Sequence, residues 1–136
     1  MAEIADLQTL DANNTGRFPD GMPIFGLNDA ARALEGMLAR WFRDISGVTI
    51  TGGSAAAYTV TTSRSITSLD AGIVIVVRAH VANSGAATLA LNGMAAKGLT
   101  RPNGADLVAG DILTNQMLFV VYNASQDKFN CIGIMA

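Results

Sequence analysis

Between Asn28 and Ser46 apolar residues recur every three to four positions, and beyond Val48 they alternate or run together in short blocks between turn-forming residues. The first pattern predicts a helix over 28–46. Asn28 is placed to cap it, Asp29 puts a carboxylate in its first turn, and Gly47 offers a left-handed stop after Ser46. Leu34, Met37, Leu38, Trp41 and Ile45 form the apolar stripe, while Arg32, Glu35, Arg40, Arg43 and Asp44 fall on other faces. Leu27, Leu34 and Trp41 stand at seven-residue steps, as do Leu38 and Ile45. That spacing suits a self-associating helix bundle and, equally, packing of the stripe onto the chain's own sheet. A helix of about 18 residues is too short to hold a coiled coil unaided.

The second pattern predicts strands at Val48 to Thr51, Ala57 to Thr62, Ile73 to Val81, Ala86 to Leu91, Gly98 to Thr100, Gln116 to Tyr122 and Lys128 to Met135. Gly52-Gly53, Ser84-Gly85, Asn92-Gly93, Asn103-Gly104 and the stretch Asn123 to Asp127 separate them as turns. Short strands at this spacing predict a mainly β chain whose C-terminal part is an antiparallel β-sandwich or small barrel. Ile73, Ile75 and Val77 face one way and Val74 and Val76 the other, so this strand is expected to be covered on both sides, by the helix or by another subunit. Thr88 to Leu91 and Phe129 to Ile132 read as half-buried outer strands.

Ahead of the helix, residues 1–27 are rich in Asn, Asp, Gly and Pro, which deny them a regular helix or a central strand. Phe18, Met22, Ile24 and Phe25 are nevertheless too apolar for a free linker, so this leader is expected to become ordered by docking. The chain divides into a docking leader (1–27), a helix suited to oligomerisation (28–47) and a β-sandwich domain (48–136).

Composition adds to this picture. Of the 136 residues 50% are hydrophobic and only 15% charged, against roughly 25% charged in an ordinary soluble domain, so part of the surface is expected to lie under partners. The apolar run Ala71 to Val77 is far below the roughly 20 residues of a spanning helix, and no membrane insertion is expected. The N-terminus lacks a basic and an apolar region of secretory type, which predicts synthesis in the cytoplasm. With a net charge of −2 and no cluster of Lys or Arg, nucleic acid is disfavoured as a partner. The single cysteine, Cys131, excludes a disulfide within the chain and reads as a small buried hydrophobe.

Candidate chemistry is sparse. His80 is the only histidine and has no second one for a metal site. Asp70, Asp106, Asp111 and Asp127 all fall in predicted turns, where aspartate hydrogen-bonds the backbone, rather than forming a pair for glycoside cleavage. No glycine cluster sits between a strand and a helix with a following Lys-Ser or Lys-Thr, so no phosphate cradle is expected. No catalytic residue, cofactor or metal is expected. The loops are rich in Ser, Thr and Asn, whose hydroxyls and amides suit sugars or protein backbone.

The segment Asn14-Thr15-Gly16-Arg17-Phe18-Pro19-Asp20-Gly21-Met22, followed by Leu27-Asn28-Asp29-Ala30-Ala31-Arg32-Ala33-Leu34-Glu35 and Leu38-Ala39-Arg40-Trp41, closely resembles an N-terminal segment of tail-fibre and related proteins of tailed phages and prophages. Gly52 to Thr62, Asn83-Ser84-Gly85-Ala86-Ala87-Thr88-Leu89-Ala90-Leu91-Asn92-Gly93 and Leu107-Val108-Ala109-Gly110-Asp111-Ile112 are similar to later strands and turns of the same proteins. The pieces run in family order from about Asn14 to Tyr122. The resemblance implies a non-enzymatic structural protein of the virion, a short tail fibre or head spike of a phage or gene transfer agent, made in the bacterial cytoplasm. It implies a homotrimer gathered by Leu34, Met37, Leu38, Trp41 and Ile45, and attached to capsid or tail proteins through Phe18, Met22, Ile24 and Phe25. Family members often continue into shafts or receptor-binding tips, whereas here one β domain runs to Ala136. This shifts the expectation toward a base that supports host adhesion by carrying a second fibre protein. The alternative is a carbohydrate-binding module whose loops contact host surface polysaccharide directly.

Overall fold

The computed structural model describes Pro19 and residues 21–132. Phe18, most of the expected leader and the end of the last predicted strand lie outside the described residues. One helix, α1 (Ile24–Ile45), precedes eight strands: β1 (Thr49–Ile50), β2 (Gly52–Gly53), β3 (Ala57–Val60), β4 (Val74–Arg78), β5 (Ala87–Leu91), β6 (Lys97–Thr100), β7 (Met117–Asn123) and β8 (Lys128–Ile132). The mainly β architecture expected from periodicity is present, and it is the barrel rather than the sandwich.

α1 begins four residues before the expected start. Pro23, with φ −61° and ψ 146°, stands at the N-cap, and Asn28 is inside the second turn rather than at the cap. Proline lacks the N–H that a first helical turn leaves unpaired in any case, and the Gly26 N–H donates to the Pro23 carbonyl at 2.9 Å. Ile24, Phe25 and Leu27 therefore belong to the helix and not to an irregular leader. At the other end Ser46 is the C-cap and Gly47, at φ +75°, makes the expected left-handed stop.

The strands form one sheet in the order β1-β4-β7-β8-β6-β5-β3-β2. Its first and last members, β1 and β2, are separated in sequence by Thr51 alone, so one residue joins the two edges and the sheet curls into a nearly closed barrel. Only the two-residue strands β1 and β2 are left as edges, so little of the sheet offers the open edge that invites aggregation. The sheet is mixed, not purely antiparallel: β1 pairs β4, β3 pairs β5 and β6 pairs β8 in parallel. The chain crosses between the members of each parallel pair through other strands: β2 and β3 between β1 and β4, β4 between β3 and β5, and β7, the other neighbour of β8, between β6 and β8.

Two strands depart from their expected roles. Gly52-Gly53 is a strand, β2, paired with Thr59 and Tyr58, and the turn lies at Ser54 to Ala57. The glycine is needed for close approach: a Cβ on Gly53 would come within 2.1 Å of the Ala57 carbonyl oxygen. β8 is not an outer strand but lies between β7 and β6, with Phe129, Asn130 and Cys131 all buried. By contrast Asn92-Gly93 turns as its sequence predicts, both residues at positive φ (50° and 75°) and the Met94 N–H bonding back to the Leu91 carbonyl.

Alternate residues fill the barrel: Tyr58 and Val60, Ile75 and Val77, Leu89 and Leu91, Leu118 and Val120, Phe129 and Cys131. The rings of Tyr122 and Phe129 meet at 5.2 Å between centroids. Cys131 is fully buried as expected, and burial pushes its thiol pKa up to about 12, so it is held as a neutral thiol at physiological pH. α1 lies against β4, which accounts for the half-buried Val74 and Val76 on the outer face of that strand.

Candidate interaction surface

The helix is fixed to the barrel by a charge. Asp44, 1% exposed near the end of α1, accepts hydrogen bonds from the Ser63 N–H at 2.6 Å, the Arg64 N–H at 3.2 Å and Arg64 Nε at 2.7 Å. Arg64 in turn donates to the Val74 carbonyl on β4 at 2.9 Å. A carboxylate with three donors, one of them on a paired guanidinium, is well satisfied, and the geometry fixes which face of α1 looks inward.

That orientation splits the apolar stripe. Met37 is fully buried and Leu34 and Ile45 are half-buried, whereas Leu38 is 47%, Trp41 37% and Phe42 63% exposed. At 3.6 residues per turn, Leu38 and Phe42 stand about 100° and about 140° around the axis from Met37, so the apolar arc is wider than the face the barrel covers. Of the residues expected to dock the leader, Met22 is half-buried and lies where a Cβ on Gly26 would touch it, while Ile24 and Phe25 are 89% and 80% exposed.

The exposed apolar surface continues onto the sheet. Register places Val76, Phe119 and Ile132 side by side across β4, β7 and β8. They point outward, and Phe119 and Ile132 remain nearly half exposed. β7 is thus apolar on both faces, Leu118, Val120 and Tyr122 inside and Met117, Phe119 and Val121 outside. Sequence reading assigned two-sided cover only to Ile73–Val77; the unbroken run Met117 to Tyr122 carried the same signal.

Beside this row an open groove of about 660 Å³ crosses the outer face of β7 and β8, lined by Ala71, Pro102, Val121, Asn123, Asn130 and Ile132 among others. Asn130 is 7% exposed. Its amide nitrogen donates to the carbonyls of Arg101 at 3.2 Å and Pro102 at 3.4 Å, and its Oδ1 has no hydrogen-bond partner among the described residues.

Several titratable groups are paired within the fold. Arg101 makes a two-pronged pair with Asp111, at 2.7 and 2.8 Å, and the Val108 N–H adds a third bond. The guanidinium, and after it the backbone donor, holds the Asp111 carboxyl below the usual range. Asp127 is likewise lowered by Lys97 and then by the Tyr122 hydroxyl. Asp70 accepts from the Ser68 hydroxyl, and Asp106 faces Lys128. His80 sits at the barrel seam: its Nδ1 is 2.7 Å from the Thr51 hydroxyl oxygen, which also accepts from the His80 N–H, and its ring stands edge-on to Tyr58. Among the described residues no three His, Cys, Asp or Glu side chains converge as metal ligands, and no helix is long and apolar enough to cross a membrane. No protein-family model matches the chain, and comparison with curated proteins finds no match.

Proposed function

We propose that the chain is a homotrimeric structural subunit of a virus-like particle, a short tail fibre or the base of a head spike. In this reading its N-terminal region holds the particle and its β barrel projects outward in support of host adhesion. One observation carries the reading: a filled barrel leaves large apolar side chains exposed outside it, Leu38, Trp41 and Phe42 on α1 and Met117, Phe119 and Ile132 on the sheet. Scattered single apolar residues are ordinary on a surface, whereas a set concentrated on one helix and the sheet face beside it marks contact with protein. The ordered likeness of Asn14 to Tyr122 to phage tail-fibre segments supplies the kind of particle, and the exposed Ile24 and Phe25 supply an attachment point next to the N-terminal region.

Sedimentation velocity of the purified full chain at micromolar concentration is expected to give the mass of three chains. A well-folded monomer at every concentration removes the reading. Particles purified from a producing strain are expected to contain the chain at their head vertices or tail, and its absence from them removes the virion assignment.

A further inference from the structure

Resting on the homo-oligomeric reading above, we infer that the groove outside β7 and β8 receives Trp41 of a second copy of the chain, so that subunits join helix into groove. The groove asks for a particular guest. Ala71, Val121, Ile132 and Pro102 make its walls apolar, and Asn130 adds one acceptor that nothing among the described residues satisfies. The Arg101 and Pro102 carbonyls fix that amide, because exchanging its oxygen and nitrogen would set Oδ1 against two carbonyl oxygens. A buried acceptor without a donor is unfavourable, and its Oδ1 has almost no surface open to water. Its complement is a flat apolar body with a single N–H, brought in with a small opening of the groove.

Trp41 has that chemistry. Its indole is an apolar plane with one donor and no acceptor. Among the described residues it is the only exposed large apolar side chain that carries a donor. The two tyrosines are buried, their hydroxyls bonded to the Val81 carbonyl and to Asp127. Trp41 does not line the groove of its own chain, since α1 packs over β4, the next strand beyond β7. The indole and the groove are different patches, so their union is head to tail, and such a contact closes into a ring when the rotation permits; a three-membered ring is the trimer. Leu38 and Phe42, one turn apart on the row beside the indole, would then cover the neighbour's exposed Phe119 and Ile132.

The arrangement separates from a bundle of helices packed on one another by its dependence on the groove. Ala71 is exposed in a turn, so Ala71→Arg obstructs the groove without entering the barrel. Trp41→Asp disables the helix, and Trp41→Phe keeps the ring but removes the N–H. Each variant is first checked for a native circular-dichroism spectrum; Val121→Arg, on the groove wall, serves as a second obstruction. Because the chain has one tryptophan, its emission reports on the guest alone. Wild-type emission is expected to move to shorter wavelength as the chain assembles. Ala71→Arg and Val121→Arg are expected to stay monomeric with solvent-like emission, and Trp41→Phe to assemble roughly tenfold more weakly, the effect of one hydrogen bond. Mixing Ala71→Arg, which keeps Trp41, with Trp41→Asp, which keeps an open groove, is expected to restore one junction and shift the emission. If both groove variants assemble like wild type while Trp41→Asp does not, the helices pack on one another, and this proposal falls while the homo-oligomer stands. A mixture that gives no pair and no shift also overturns it. A wild-type chain that is monomeric throughout sinks both.

Discussion

At the residue scale, the positions that matter most are those where backbone or charge meets something distant in sequence. Gly53 is one: at φ +86° a side chain costs about 1–2 kcal/mol for the left-handed backbone alone, and a Cβ there collides with the Ala57 carbonyl oxygen. Gly53→Ala is therefore expected to lower the urea midpoint by more than Gly72→Ala, since Gly72 has positive φ (+91°) but open space around it. Equal losses would show that the seam tolerates the clash. Asp111 gives a prediction in pH. Its folded pKa is depressed by Arg101, so its contribution is whole above the unfolded carboxylate value of about 4 and is lost as pH falls through the lower folded value. Urea midpoints are expected to fall on acidification through that window in the wild type, and less steeply in Asp111→Asn, which also starts from lower stability at neutral pH. The sequence placed Asp111 correctly in a turn. Its partner Arg101, ten residues away, was not legible, because a pairing across a loop leaves no periodic trace.

At the element scale, α1 is held to the barrel by few and specific contacts. Removing the Asp44 carboxylate leaves the Arg64 guanidinium without its anion and two backbone N–H groups without acceptors. Breaking one side of a buried pair typically costs about 3–5 kcal/mol. Asp44→Ala is expected to lose that much in urea unfolding and to speed amide exchange in α1 ahead of the strands; Asp44→Asn, which retains one acceptor, is expected to lose less. Uniform exchange across helix and strands in Asp44→Ala would show that the helix is not separately anchored. The existence of α1 and its stop at Gly47 were legible because apolar spacing and a left-handed glycine are local signals. Its start was not, because Asn28-Asp29 imitates a cap while Pro23 performs it. β2 was hidden for a similar reason: a Gly-Gly pair reads as a turn, and only its pairing with Tyr58 and Thr59 makes it a strand. Asp44 read only as a position off the apolar stripe, because its burial depends on Ser63 and Arg64, which arrive from the loop after β3.

At the scale of the whole molecule, closure and assembly are the two properties that local patterns could not give. Closure depends on β1 and β2 lying at opposite ends of one sheet while adjacent in sequence, which follows from three parallel pairings between non-consecutive strands. Assembly depends on how much of the apolar stripe the barrel leaves uncovered, and that is set by the rotation Asp44 imposes on α1. If the exposed stripe is covered by other copies, stability becomes a function of concentration. A trimer that dissociates as it unfolds gains two thirds of RT ln 10 per chain for each tenfold rise, about 0.9 kcal/mol. At about 2.1 cal/mol/K of unfolding entropy per residue, the 136-residue chain has about 0.29 kcal/mol/K, so Tm is expected to rise by about 3 °C per tenfold. Calorimetry between about 1 and about 100 micromolar resolves such a slope. Leu38→Glu combined with Phe42→Glu places two charges on the outward side of α1, away from Met37 and Asp44, and is expected to abolish the slope while leaving the barrel's own unfolding intact. A Tm independent of concentration in the wild type would mean that the chain tolerates this apolar surface in water, and the exposed helix face would then need an explanation outside self-assembly.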